Sequence, residues 1–188
     1  MIMSPSLRKF MLTTHLTFSA GWIGAVAAYL VLDVTVATSQ DTQTLRVAYV
    51  AMELIARYVI VPLALTSLIT GIVQSLGTKW GLFRHYWVLI SLLLTILATL
   101  VLLSETRTIR FFADIAADPA TSSDDLLALG NTLVHSVGGT VVLFVIQVLN
   151  VYKPRGLTPY GWRKQQEERG RPPARSREGQ PGEISVES

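Results

Sequence analysis

Four long stretches of this chain carry no fixed charge, and this limits its fold more than any other feature. Residues 86–104 and 58–76 contain no charged side chain. Residues 10–32 and 126–152 each contain one histidine, His15 and His135, and no Asp, Glu, Lys or Arg. A run of about 18 or more apolar residues is long enough to cross a bilayer as a helix. In hydrocarbon each backbone N–H and C=O must find a partner within its own segment, so such runs fold as helices. Half of the 188 residues are hydrophobic and 15% are charged, well below the roughly 25% of soluble domains. The net charge of +3 does not point to nucleic acid, because the basic residues flank the apolar runs or fall near the C-terminus. Membrane topology accounts for that placement, and no nucleic-acid partner is expected.

The expected fold is all-α, a polytopic four-helix transmembrane bundle over residues 1–160, followed by a disordered basic tail over 161–188. The spans are placed at about 10–32, 47–76, 86–104 and 127–152. Ser4-Pro5 suits a helix start, and the run after Arg8 and Lys9 is too long for a signal-peptide core, so it reads as a retained first helix. Pro62 lies inside the second span and predicts a kink near 58–62, because proline lacks a backbone donor. Residues 77–85 read as a tight basic and aromatic turn containing Lys79 and Trp80, and 105–125 as a longer loop with Phe111 and Phe112 on the membrane surface. Ser91, Thr95 and Thr99 share one face of the third span. Ala20, Gly24 and Ala28 form a small-residue stripe suited to bundle packing or to a homo-oligomer. From residue 161 onward Arg, Glu, Pro and Gly dominate, and such a composition buries too little to offset ordering entropy.

Lys and Arg concentrate at three places: Arg8 and Lys9, Lys79 and Arg84, and the C-terminal run that starts at Lys153 and includes Arg171, Arg175 and Arg177. The other two loops hold Arg46, Arg107 and Arg110 among acidic residues. This asymmetry puts both termini in the cytoplasm, with the lipid bilayer as the first partner.

Polar groups within a span are costly and so are functional candidates. On the cytoplasmic side these are His15, His85, Gln74 and Ser91; two histidines from different helices can hold haem iron or copper through imidazole nitrogen. On the outer side they are Glu53, Arg57 and His135, with Glu53 and Arg57 in the favourable i, i+4 order. The chain has no cysteine, which excludes disulfides, thiolate metal sites and cysteine catalysis. It shows no glycine-rich phosphate loop and no HExxH.

The blocks HLTFSAGWIG (from His15), AYVAMELIARYVIVPLAL (from Ala48), TGIVQSLGTKWGLFRHYWVL (from Thr70) and YKPRGLTPYG (from Tyr152) resemble the bacterial integral-membrane family called domain of unknown function 2269. The resemblance covers about residues 8–163 and implies no activity. A more distant likeness lies in His15 followed by Trp22-Ile23-Gly24, which is similar to the first helix of copper-resistance D proteins and of HemJ-type protoporphyrinogen oxidases. That likeness implies haem b binding through His15. Where the oxidase carries a lysine early in its third span, this chain has Ser91. Three functions therefore remain open. The first is a membrane protein binding b-type haem through His15, for which a haem-linked oxidoreductase is the only enzyme class suggested. The second is a copper-handling or small-solute transport protein using His15, His85 and His135. The third is a non-enzymatic membrane subunit or scaffold with a membrane partner.

Overall fold

The structure is a computed structural model that describes residues 3–78 and 81–170. Lys79, Trp80 and the tail from residue 171 lie outside the described residues. Helix α1 spans Pro5–Thr38, capped by the Ser4 side chain, which accepts from the Leu7 N–H at 3.4 Å. Helix α2 spans Thr42–Ile55, continues through a π-helical turn over Ala56–Ile60, and passes into α3 at Val61–Gly77. Next come α4 (Tyr86–Ala117), α5 (Ser123–Ala128), α6 (Leu133–Tyr152) and α7 (Pro159–Arg169). Four rods are long and apolar enough to cross a membrane: α1, the continuous rod from α2 to α3, α4 and α6. Adjacent rods run antiparallel, so the N-terminus, the α3–α4 turn and α7 share one end of the bundle. That end is called the terminus end, and the opposite one the cap end.

The core follows helical spacing. Leu45, Ala48, Tyr49, Met52 and Ala56 are buried along one face of the second rod, and the face continues through Ile60 and Ala64 beyond the π-turn. The π-turn answers the proline. Pro62 has no N–H to give, and its ring crowds the carbonyl four residues back. The helix widens just before it, and the Val61 N–H reaches the Ala56 carbonyl. Outside the core, Phe10, Leu97, Leu100, Val141 and Phe144 are exposed in a continuous apolar belt. Such a belt would drive aggregation in water, whereas lipid solvates it. The chain is a multi-pass membrane protein.

Several sequence expectations change. Residues 105–117 are helical, because Ile109, Ala113 and Ala116 form a buried stripe that extends α4 against α2. Phe112 packs against Tyr49, with ring centroids 5.8 Å apart, while Phe111 stays exposed. The second rod starts at Thr42, ahead of the membrane span placed from about 47, since Asp41 caps it through the Thr44 N–H at 2.9 Å. The fourth span starts at Leu133, not 127. Leu126 belongs to α5, where it is buried in the cap, and residues 129–132 interrupt the helix. The tail does not begin as disorder: Thr158 caps α7 through the Gly161 N–H, and Pro159 opens its first turn. Gly24 of the small-residue stripe faces open space, and Ala20 and Ala28 are exposed, so the stripe does not serve packing inside the bundle.

The uncharged part of each rod rises about 30 Å, the thickness of the hydrocarbon core. Beyond it, the ends of α1 and α4, the start of α2 and all of α5 form a small helical cap. Arg46 ties that cap together. Its guanidinium donates to the carbonyls of Ala116, Asp118 and Thr121 at 2.6–2.8 Å, filling acceptors that the end of α4 leaves open.

Candidate functional site

The polar side chains gather at two levels. At the terminus end, α1, α3, α4 and α6 enclose a cavity of about 380 Å³. His15, Ser19, Gln74, Ser91, Gln147 and Asn150 give it polar walls, and Lys153 stands at its edge. Its volume is in the usual range for small-molecule sites.

His15 is held by its neighbours. Its Nδ1 lies 3.1 Å from Thr70 Oγ1. Thr70 has one hydroxyl hydrogen and gives it to the Thr66 carbonyl at 2.7 Å. His15 Nδ1 is therefore the donor to Thr70, which assigns the tautomer with a bare Nε2. Metal-ligating histidines are commonly held this way, with one ring nitrogen donating to the protein and the other left to coordinate. Gly71 makes room for the ring: a Cβ there would sit 3.1 Å from His15 Cε1. One turn toward the cap, Ser19 and Ser67 share a hydrogen bond of 2.8 Å across the same helix pair. Gln74 Oε1 and Ser91 Oγ are buried and have no hydrogen-bond partner among the described residues. An unmet buried polar atom costs about 1–3 kcal/mol, so both oxygens favour a polar occupant or water in the cavity.

His85 does not join this set. It precedes α4, pairs with Leu157 in an isolated antiparallel bridge, and its ring lies 6.4 Å from that of Trp87. It is absent from the described lining of the cavity. The short stretch 156–158 pairs with the backbone around His85, through the bridge to Leu157 and a hydrogen bond from the Tyr86 N–H to the Gly156 carbonyl. The third histidine, His135, stands at the cap end. Among the described residues, no group of three or more His, Asp or Glu is placed to hold a metal ion.

The expected outer cluster of Glu53, Arg57 and His135 also divides. Glu53 and Arg57 pair at 3.4 Å on the second rod. His135 Nε2 instead faces Glu105 Oε1 at 3.6 Å across α4 and α6, beside a largely apolar cavity of about 260 Å³. The centre of this level is a residue that reads from sequence as the polar end of a span. Asp33 is fully buried. It accepts from the Thr132 N–H at 3.1 Å, the Thr132 hydroxyl at 3.0 Å and the Ser136 hydroxyl at 2.7 Å. Tyr29 then donates to Thr132 Oγ1 at 2.8 Å. Thr132 is the N-cap of α6 but its own side chain makes no cap hydrogen bond; Asn131 Oδ1 accepts the Leu133 N–H, and Asp33 accepts the Thr132 N–H from α1. Ser19, Ser67, Gln147 and Asn150 of the inner cavity were also passed over in the sequence. Their signal was a polar residue inside an apolar run, the one that singled out His15 and Gln74.

No family model matches the chain, and neither a curated protein nor a solved structure is similar to it.

Proposed function

We propose that this chain is a multi-pass protein of a bacterial cytoplasmic membrane, of the family called domain of unknown function 2269, and binds a ligand in the cavity around His15. Its termini are cytoplasmic on this reading. Arg8, Lys9, Arg84, Lys153, Arg155, Arg163 and Lys164 at the terminus end support that orientation through the positive-inside rule.

The ligand we favour is b-type haem, which His15 would hold through its imidazole. One observation carries this: His15 Nδ1 lies against Thr70 Oγ1, whose hydrogen is used on the Thr66 carbonyl, an arrangement that leaves Nε2 as the nitrogen a ligand would take. His15 lines this cavity, and His85 is not among its described lining residues, which supports His15 as the histidine that would hold the group. When bound, haem would supply one-electron redox chemistry. The protein's own part is to fix the imidazole plane through Thr70 and to keep that space open through Gly71. The test is an absorption spectrum of gently purified protein expressed with ample haem. A Soret band should appear, vanish in His15→Ala, persist in His85→Ala and weaken in Gly71→Ala, with circular dichroism reporting each fold. A colourless wild type, or a band unchanged in His15→Ala, would overturn it.

A second reading, transport of a small polar solute, is favoured by the amide and hydroxyl walls and the two orphaned oxygens. It predicts an uptake defect in a deletion strain that Gln74→Leu fails to restore.

A further inference from the structure

At the cap end, the π-turn and α4 enclose a groove of about 270 Å³. Its walls carry Arg57, Arg107 and Arg110, with Thr106 between the two helices' arginines and Glu53 as the single carboxylate among its described lining residues. Ala56 and Ile109 belong to its apolar floor and are buried. Three guanidinium groups against Glu53 in the lining, with Asp114 beside Arg110, leave the groove with a net positive charge.

These charges are only partly used inside the protein. Arg57 pairs with Glu53 at 3.4 Å and lies over the Tyr58 ring, 5.6 Å from its centroid. Arg110 reaches Asp114 only at 3.8 Å, between two exposed side chains. Arg107 has no hydrogen-bond or ion-pair partner among the described residues. Arg46, by contrast, is fully engaged on three carbonyls and stands outside the groove. Exposed arginines need no protein partner in water. Three of them converging on one concavity from two helices repel one another, and a common counter-charge would lower that repulsion.

Their depth identifies it. Arg57 directly precedes the uncharged stretch 58–76, and Arg107 and Arg110 follow the uncharged stretch 86–104 within two turns. At about 1.5 Å rise per residue, all three lie within roughly 10 Å of the hydrocarbon boundary, which is headgroup depth. Below them, exposed Leu103, Leu100 and Tyr58 offer an apolar track for acyl chains.

We propose that this groove binds the phosphate of an anionic lipid headgroup in the leaflet at the cap end. The guanidinium fork matches phosphate oxygens two at a time, and Arg is less strongly hydrated than Lys, so it gives up water at lower cost. Basic pockets between transmembrane helices recognise lipid headgroups by the same chemistry. The π-turn contributes by placing Arg57 at the groove while the buried face continues unbroken from Ala56 to Ile60. The proposal does not rest on the His15 reading, which concerns the other end of the bundle.

The test uses the full chain in uncharged detergent, titrated with short-chain phosphatidylglycerol, phosphatidylcholine of the same chains, or inorganic phosphate, with bound lipid counted by native mass spectrometry. Phosphatidylglycerol should bind best, and added salt should weaken it. Arg107→Gln should reduce its affinity about tenfold, equivalent to about 1.4 kcal/mol, and Arg107→Lys should restore only part of it. Arg107 is exposed and unpartnered, so the variant folds, and circular dichroism checks this. Arg155→Gln, at the opposite end, should leave affinity unchanged. An Arg107→Gln affinity within twofold of wild type would overturn the proposal. So would equal binding of phosphatidylcholine, or binding of inorganic phosphate as tight as that of the lipid.

Discussion

Replacing Asp33 is the sharpest test of how this bundle is joined. The carboxyl group is fully buried and takes three donors, all from the start of α6. Asp33→Ala leaves each donor without its acceptor at the level where α6 enters the membrane. A buried unmet donor costs about 1–3 kcal/mol, so three set a floor of about 3 kcal/mol before any cavity is counted. Ser136 recovers a little through the Leu133 carbonyl at 3.1 Å, and Tyr29 loses the ordered hydroxyl to which it donates. Asp33→Asn keeps the shape and one acceptor. Its amide can donate where Oδ2 accepted, and both hydroxyls can turn to receive it, so the cost should fall to about 1 kcal/mol. The assay is unfolding by graded sodium dodecyl sulfate in mixed micelles, followed by circular dichroism. Hydrogen exchange reports the amides of residues 132–136. The expected order is wild type, then Asn, then Ala, with amide protection lost first at Thr132. An Ala variant within about 1 kcal/mol of wild type, or one more stable than Asn, would refute the view that Asp33 holds α6.

Two further outcomes follow from the ends of the chain. A side chain at Gly161 would collide with the Arg84 carbonyl, so Gly161→Ala should release α7 from the α3–α4 turn and speed tryptic cleavage after Arg163 and Lys164. Cleavage at the wild-type rate would show that α7 docks some other way. At the cap, hydrogen bonds from the Thr44 hydroxyl and then its N–H hold the Asp41 carboxyl below its ordinary range. A depressed folded-state value means that this cap stabilises α2 above the unfolded value of about 4 and loses that contribution as pH falls through the folded value. Asp41→Asn should therefore remove part of the acid sensitivity of helix α2, read as amide exchange at residues 44–46 against pH; an unchanged profile would sink the argument.

Much of the bundle was legible in the residues. The four spans, the Ser4 cap, the disturbance before Pro62 and the shared face of Ser91, Thr95 and Thr99 all depend on neighbours within a few positions. Local spacing determines them. Of the inner site, His15, Gln74 and Ser91 were legible for a related reason: a polar group in an otherwise apolar span must face the protein interior or water. The backbone pairing of His85 with Leu157 was not legible, because its partner lies far along the chain. The stretch 105–117 read as loop because its charges suggest water. Arg107, Arg110 and Asp114 are exposed, but on one side of a helix whose other side is covered by α2, and Glu105 faces His135 on α6.

By itself the sequence determined that this protein lives in a membrane, since hydropathy acts residue by residue along each run and needs no tertiary partner. Only the tertiary structure decided what its polar residues do. Asp33 reads as the end of a span, and becomes the buried joint between α1 and α6 because its donors arrive from 99 and 103 residues away. Arg107 reads as loop charge, and becomes one wall of a groove only when the π-turn brings Arg57 opposite. Hydrogen bonds and charge clusters need a partner within a few ångströms, and chain folding, not local pattern, supplies that partner.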